Sequence, residues 1–248
     1  GAAMKSRTRP PGTVTGPLGH GSLDLPLACA RARALASRTF KFTVTGPHML
    51  AKTLIDKHYR DTPALAHAIA DVLAGQVRHL DADVVQLDEA NLPGHAEEWE
   101  WAASAINRVL DAVPGTPAVH LCFGNYGGQT VQKGSWDKLL RYLNALHADH
   151  VVLECAHRPP EELEALRELG PRIGLGLGVV DIKVNDVESA DQVARSIERA
   201  EKLLGPGRVR YVHPDCGFWM LKRSVADAKM RALVAGRDRF EGIAPAGA

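Results

Sequence analysis

From about Phe40 onward, short apolar, β-branched runs alternate with helix-patterned stretches, which restricts the chain to βα units built on a parallel sheet. The runs are Phe40 to Thr45, Val84 to Asp88, Ala118 to Phe123, Val151 to Glu154, Ile173 to Asp181 and Val209 to His213. They lack the apolar/polar alternation of half-exposed strands, so both sheet faces are expected to be covered. The helices between them carry start and stop signals. Thr62-Pro63 opens one whose Leu65, Ile69, Leu73, Val77 and Leu80 share a face; Ser189 and Gln192 form a capping box ahead of Val193 and Ile197, with Gly205 as the stop. Arg158-Pro159-Pro160 opens a third helix closing at Gly170, and Ser224 caps a fourth closing at Gly236.

The first 39 residues fit this rhythm less well. Gly1-Ala2-Ala3-Met4 reads as a tag remnant, residues 1–12 as remnant plus flexible lead, Thr13 to Thr15 as a short strand and Ala28 to Ser37 as a helix. Residues 13–248 are expected to form a single domain. A closed parallel barrel needs eight strands. Six firm strands and one weak one are found here, so two alternatives stay open: segments that would complete the barrel are missing from this sequence, or another chain covers the exposed edge.

Composition narrows the function classes. Lys+Arg number 30 and Asp+Glu 29, a formal charge of +1, so neither nucleic acid nor an anionic membrane surface is an expected partner. With 45% apolar residues over 248 positions a large core is affordable, yet no uninterrupted apolar run reaches the roughly 18 residues of a spanning helix. Without an apolar leader the expected location is cytoplasmic, where Cys29, Cys122, Cys155 and Cys216 would stay as thiols.

Candidate ligands cluster at strand ends, where a parallel barrel places its active site. His120 and Cys122 are two apart on one strand and so share a face; Glu154 ends the next strand and Cys216 follows the last. Imidazole, carboxylate and two thiolates form a tetrahedral zinc set. The competing reading is two buried thiols acting as small hydrophobes, although a carboxylate straight after three apolar strand residues demands a partner or a metal. Asp88 and Glu89 end another strand: Asp88 is either a helix cap or a carboxylate aimed at a substrate ammonium or hydroxyl. Asp181 and Lys183 are either a surface ion pair or a general acid with its partner. Gly174, Gly176 and Gly178 lie inside an apolar strand in a G-x-G-x-G spacing, which indicates close backbone packing and not a nucleotide loop.

Taken together, Val44-Thr45-Gly46-Pro47, Gln86-Leu87-Asp88-Glu89, His120-Leu121-Cys122, Glu154, Gly178-Val179-Val180-Asp181-Ile182-Lys183 and Pro214-Asp215-Cys216-Gly217 resemble the catalytic C-terminal domain of cobalamin-independent methionine synthases and their short core-type relatives. That family lies within the uroporphyrinogen decarboxylase-like barrels. The resemblance runs in order from about residue 40 to residue 242. It implies an α/β, TIM-type (β/α)8 barrel whose first strands are absent from this chain, and a zinc ion held by His120, Cys122, Glu154 and Cys216. It further implies methyl transfer to a thiol, homocysteine, with Asp88 and Glu89 binding substrate and Lys183 with Asp181 as the catalytic pair.

Lys183 stands where full-length synthases carry His, as in the core-type relatives, and Asp88-Glu89-Ala90-Asn91 replaces the family's D-E-P-A. The implied methyl donor is therefore a methylated corrinoid protein or a methyl-folate, without dependence on a polyglutamyl tail. Two alternatives remain open at this point: a zinc lyase joining coenzyme M to an epoxide, and a non-catalytic zinc- or corrinoid-binding accessory protein. A homo-oligomer is also left open. The aromatic residues Phe123, Tyr126, Phe218 and Trp219 are candidates to line the donor pocket, whereas Trp99 and Trp101 read as helix packing.

Overall fold

The structure is a computed structural model that describes residues 11–125, 130–219 and 221–244. In chain order the elements are β1 (Thr13–Val14), α1 (Leu25–Arg33), β2 (Lys41–Thr45), α2 (Pro47–Thr53), β3 (Ile55–Asp56), α3 (Thr62–Val77), β4 (Val84–Asp88), α4 (Trp99–Leu110), β5 (Thr116–Leu121), α5 (Leu140–Ala145), β6 (His150–Leu153), α6 (Glu162–Ala165), β7 (Gly174–Val180), α7 (Ala190–Leu204), β8 (Val209–Pro214) and α8 (Arg223–Glu241). The six longer strands form one parallel sheet in the order β2-β4-β5-β6-β7-β8. This matches the six runs expected from the sequence.

Every residue of β6 and β7 is buried, as a strand covered on both faces requires. The outer strands differ: β2 and β8 retain exposed positions, and neither has a second strand partner among the described residues. The barrel is thus left open between them. The weak strand does not help to close it, because β1 pairs in parallel with β3 in a separate two-stranded sheet.

Helix termini differ from the sequence reading in instructive ways. α3 is capped by Asp61, whose carboxylate accepts the Ala64 N–H, so Thr62 is already helical. α7 has the expected Ser189/Gln192 capping box and ends at Gly205. The stretch after Arg158 is only the short α6 followed by a tight turn over Leu166–Glu168. α8 starts after Lys222 and runs past Gly236, which is a packing position: a Cβ there would collide with Val193 of α7. α1 begins three residues earlier than expected because Asp24 caps it, and Leu25 is its first residue.

Register aligns the site. Thr45 pairs with Asp88, Asp88 with His120, His120 with Val152, and Val152 with Gly176, so Asp88 and His120 sit at the same level of adjacent strands. Because all six strands run the same way, their C-terminal ends, with the residues that follow, gather at one end of the sheet.

Candidate metal centre

His120 on β5, Cys122 just beyond it and Cys216 just beyond β8 bring one ligand atom each within 4.8 Å of one another. His120 Nδ1 lies 2.9 Å from the Val152 carbonyl oxygen, which suits an Nδ1–H donor. That leaves Nε2 as the lone-pair nitrogen, and this buried atom makes no hydrogen bond. Burial opposes a charge on His120, but the neighbouring Cys216 sulfur and then Asp88 outweigh it and hold its pKa above the usual histidine value. Cys122 and Cys216 are 3.8 Å apart, Sγ to Sγ. That contact holds Cys216 below the ordinary thiol range, while the same contact and burial push Cys122 up.

Glu154 stands apart from this trio. It is fully buried; one oxygen accepts the Phe123 N–H at 3.0 Å and the other pairs with Lys183 Nζ at 3.0 Å. Its backbone carbonyl accepts Trp136 Nε1–H at 3.0 Å, and the indole packs edge-on against Phe123, itself covered by the Arg158 guanidinium. Phe123 is therefore core. Phe218 packs against the core, Trp219 is largely exposed, and Tyr126 lies outside the described residues.

Asp88 is steered from its own strand and from the sheet edge. Gln86 Nε2 donates to it at 2.8 Å, and Lys41 Nζ donates to Gln86 Oε1 at 2.9 Å. Burial raises the Asp88 pKa and lowers that of Lys41. Glu89 has a different position from its neighbour. Both of its oxygens accept backbone N–H groups at the start of α2, from His48 at 2.9 Å and Met49 at 2.8 Å. Burial still pushes its pKa to about 8. Gly46 is required beside it, since a Cβ at that position would collide with the Glu89 carboxylate.

The loop after β7 is firmly held. Asp181 accepts the Lys183 N–H at 2.8 Å and lies 2.9 Å from His157 Nδ1; its own N–H donates to Glu188 at 2.9 Å. Glu188 in turn pairs with Lys229 of α8 at 3.0 Å, and that fully buried lysine also donates to the Asp186 carbonyl.

Sequence reasoning missed Asp215, Lys229, Trp136 and the Lys41–Gln86 link. Asp215 is buried and accepts three successive N–H groups, from Cys155 (2.9 Å), Ala156 (2.8 Å) and His157 (2.7 Å). Burial pushes its pKa up to about 7 despite those donors. A Cβ at Gly178 would collide with the same carboxylate and lie 2.8 Å from the Leu153 carbonyl, so this strand glycine makes room for it. Asp215 sits in a motif singled out for its cysteine, which was the available signal. Lys229, in an amphipathic helix, carried none. A second group, His95, Glu97 and Glu98, also converges, but Glu98 is already taken by His48 at 2.7 Å and Lys52 at 2.9 Å.

No helix among the described residues is long and apolar enough to cross a membrane. Residues 2–237 match the family described as "Cobalamin-independent synthase, Catalytic domain". The methionine synthase of Saccharolobus solfataricus is 28% identical over 199 residues, covering 79% of this chain and 57% of that protein. The methionine synthase of Thermococcus kodakarensis is 31% identical over 199 residues, covering 79% of this chain and 56% of the relative. The chain thus spans a little over half the length of these curated relatives. A solved B12-independent methionine synthase from Shewanella sp. W3-18-1, in complex with selenomethionine, superposes with a TM-score of 0.79 at 24% identity, over 93% of this chain and 70% of that one. The shared fold is of the TIM-barrel type.

Proposed function

The chain belongs to the cobalamin-independent synthase catalytic-domain family, and on that premise we propose that it transfers a methyl group to the sulfur of homocysteine, giving methionine, with zinc as its metal. The observation that carries this reading is the convergence of His120, Cys122 and Cys216 within 4.8 Å. One imidazole and two thiols suit zinc better than a hard cation, and the unpartnered, buried His120 Nε2 is a fitting ligand atom. When bound, zinc supplies a Lewis acid that favours the ionised form of a substrate thiol near neutral pH.

The remaining work falls to the chain's own groups. The Val152 carbonyl fixes the His120 ring through Nδ1, so that Nε2 points at the cluster's other donors. Asp88, oriented by Gln86 and Lys41, is the proposed partner of the amino group of homocysteine. A carboxylate in that place favours an amine over the sulfonate of coenzyme M. Asp181 holds the Lys183 backbone, and Lys183 carries the proton for the departing methyl donor. Glu89 serves substrate binding by seating the start of α2 beside Asp88. The donor is proposed to be a methylated corrinoid or a methyl-folate. Lys183 in place of His speaks for a core-type enzyme independent of polyglutamyl folate.

The test is zinc content and methionine formation for the wild type and Cys122→Ser, with homocysteine and either methylcobalamin or methyltetrahydrofolate. About one zinc per chain, with both metal and product lost in the variant, supports the proposal. Metal and turnover that survive in Cys122→Ser refute it.

A further inference from the structure

Lys229 lies on α8, outside the sheet, yet its side chain is fully buried. Its ammonium is directed at the loop between β7 and α7: it donates to the Asp186 carbonyl and to both Glu188 oxygens, at 3.2 and 3.0 Å. The Glu188 oxygen at 3.2 Å also accepts the Asp181 N–H at 2.9 Å, and Asp181 in turn accepts the Lys183 N–H at 2.8 Å. The second Asp181 oxygen lies 2.9 Å from His157 Nδ1, which ties this loop to the one after β6. A buried ion pair is a weak source of stability, because desolvating both charges offsets their attraction, and an apolar side chain of similar size would pack as well. What an apolar side chain cannot do is fix a carboxylate. With Lys229 on one side and the Asp181 N–H on the other, Glu188 has one orientation, and that orientation sets where residues 181–183 lie relative to α8.

We infer that Lys229 is a positioning residue for methyl transfer: acting through Glu188 and Asp181, it holds the Lys183 backbone where that side chain can hand its proton to the departing donor. This rests on the methyl-transfer reading above and deepens it. In the step concerned, the homocysteine sulfur bonds to the methyl carbon as the bond from that carbon to the donor breaks. With methyltetrahydrofolate the electron pair of the broken bond goes to nitrogen, which takes the Lys183 proton; Lys183 is reprotonated from solvent. Nitrogen leaves poorly without that proton. A methylated corrinoid differs, since its cobalt keeps the electron pair and needs no proton. A displaced Lys183 is therefore harmful with the first donor and nearly indifferent with the second.

The experiment measures methionine formation from homocysteine with methyltetrahydrofolate and, separately, with methylcobalamin. It compares the wild type, Lys229→Met, Lys229→Arg, Glu188→Gln and the Lys229→Met/Glu188→Gln double variant, with zinc content recorded for each. Lys229→Met is expected to lose about 10- to 100-fold in kcat with methyltetrahydrofolate, the effect of moving a reacting group by about 1 Å. Its zinc content is unchanged, and its KM for homocysteine and its kcat with methylcobalamin stay within about threefold of wild type. Lys229→Arg, which keeps the charge, should regain most of the loss, and the double variant should lose no more than the worse single one, because both changes break the same link. Should Lys229→Met fail to fold, Glu188→Gln, which keeps the shape, carries the same expectation. An equal loss with both donors, a loss of zinc, a change confined to KM, or full methyltetrahydrofolate activity in the folded variants overturns the inference. So does a wild type that turns over methylcobalamin alone, since no proton is then called for. Where methyltetrahydrofolate is the one donor accepted, a kcat loss that Lys229→Arg fails to restore overturns it. A wild type active with neither donor overturns the proposed function itself.

Discussion

Asp215 offers the sharpest test of how the loops at the site are held. Its carboxylate accepts three consecutive N–H groups from residues 155 to 157, directly after Glu154, while its own neighbour is Cys216. Replacing it with Ala removes all three bonds. Hydrogen bonds to a charged group contribute about 1.5–3 kcal/mol each when no substitute exists. Ala156 and His157 are exposed, so water can replace the carboxylate there, whereas Cys155 is partly enclosed and loses its acceptor outright. Counting that bond in full and the other two at about 0.5 kcal/mol each gives a loss of about 3 kcal/mol for Asp215→Ala. In Asp215→Asn one oxygen can still accept from Cys155 and Ala156, and only the His157 contact turns unfavourable, so about 1 kcal/mol is expected. Urea denaturation at pH 8.5, above the raised Asp215 pKa so that the carboxylate is ionised, reads both values, and amide exchange reads the loss of protection at residues 155–157 directly. An Asp215→Ala protein within about 0.5 kcal/mol of wild type, with those amides still protected, would refute the reasoning.

Glu89→Ala should lower stability by about 1–2 kcal/mol through the loss of two N–H acceptors at the start of α2, a change that thermal melting will register. For Lys229→Met, faster amide exchange is expected at Asp181 and Lys183, because Glu188 loses the cation that anchors it; unchanged exchange there argues against that anchor. His213, whose Nε2 is buried without a partner, has its pKa pulled by burial from 6.5 to about 4. The unfolded chain then binds a proton that the folded chain refuses. Stability is unaffected above 6.5 and falls as pH drops towards 4, by up to about 3 kcal/mol. His213→Gln should flatten that part of the pH profile, and an unchanged slope would assign the acid sensitivity elsewhere.

Much of the architecture was legible because it depends on local pattern. Unalternating apolar runs separated by capped helices can only be the strands of a covered parallel sheet, and six such runs became six adjacent strands in chain order. Strand-end position and the two-residue spacing of His120 and Cys122 then placed donors at one end and on one face, which is a property of parallel strands and their pleat. Cys216 joined them because it follows the last strand.

The tertiary structure decided what each polar group is for. Thr13–Val14 reads as a candidate barrel strand by itself, yet it pairs with Ile55–Asp56, since pairing depends on which edge the chain can reach. Asp88 and Glu89 are adjacent carboxylates on paper. Asp88 lies level with His120 of the candidate metal centre, and Glu89 turns under α2, because successive strand residues point to opposite sides. Glu154 pairs with Lys183, 29 positions on, and Asp215 with residues about 60 positions back. Burial makes an unpaired charge so unfavourable that each of these groups takes whichever partner the fold brings near, and that partner is set by register and loop path, neither of which is written in any one stretch of sequence.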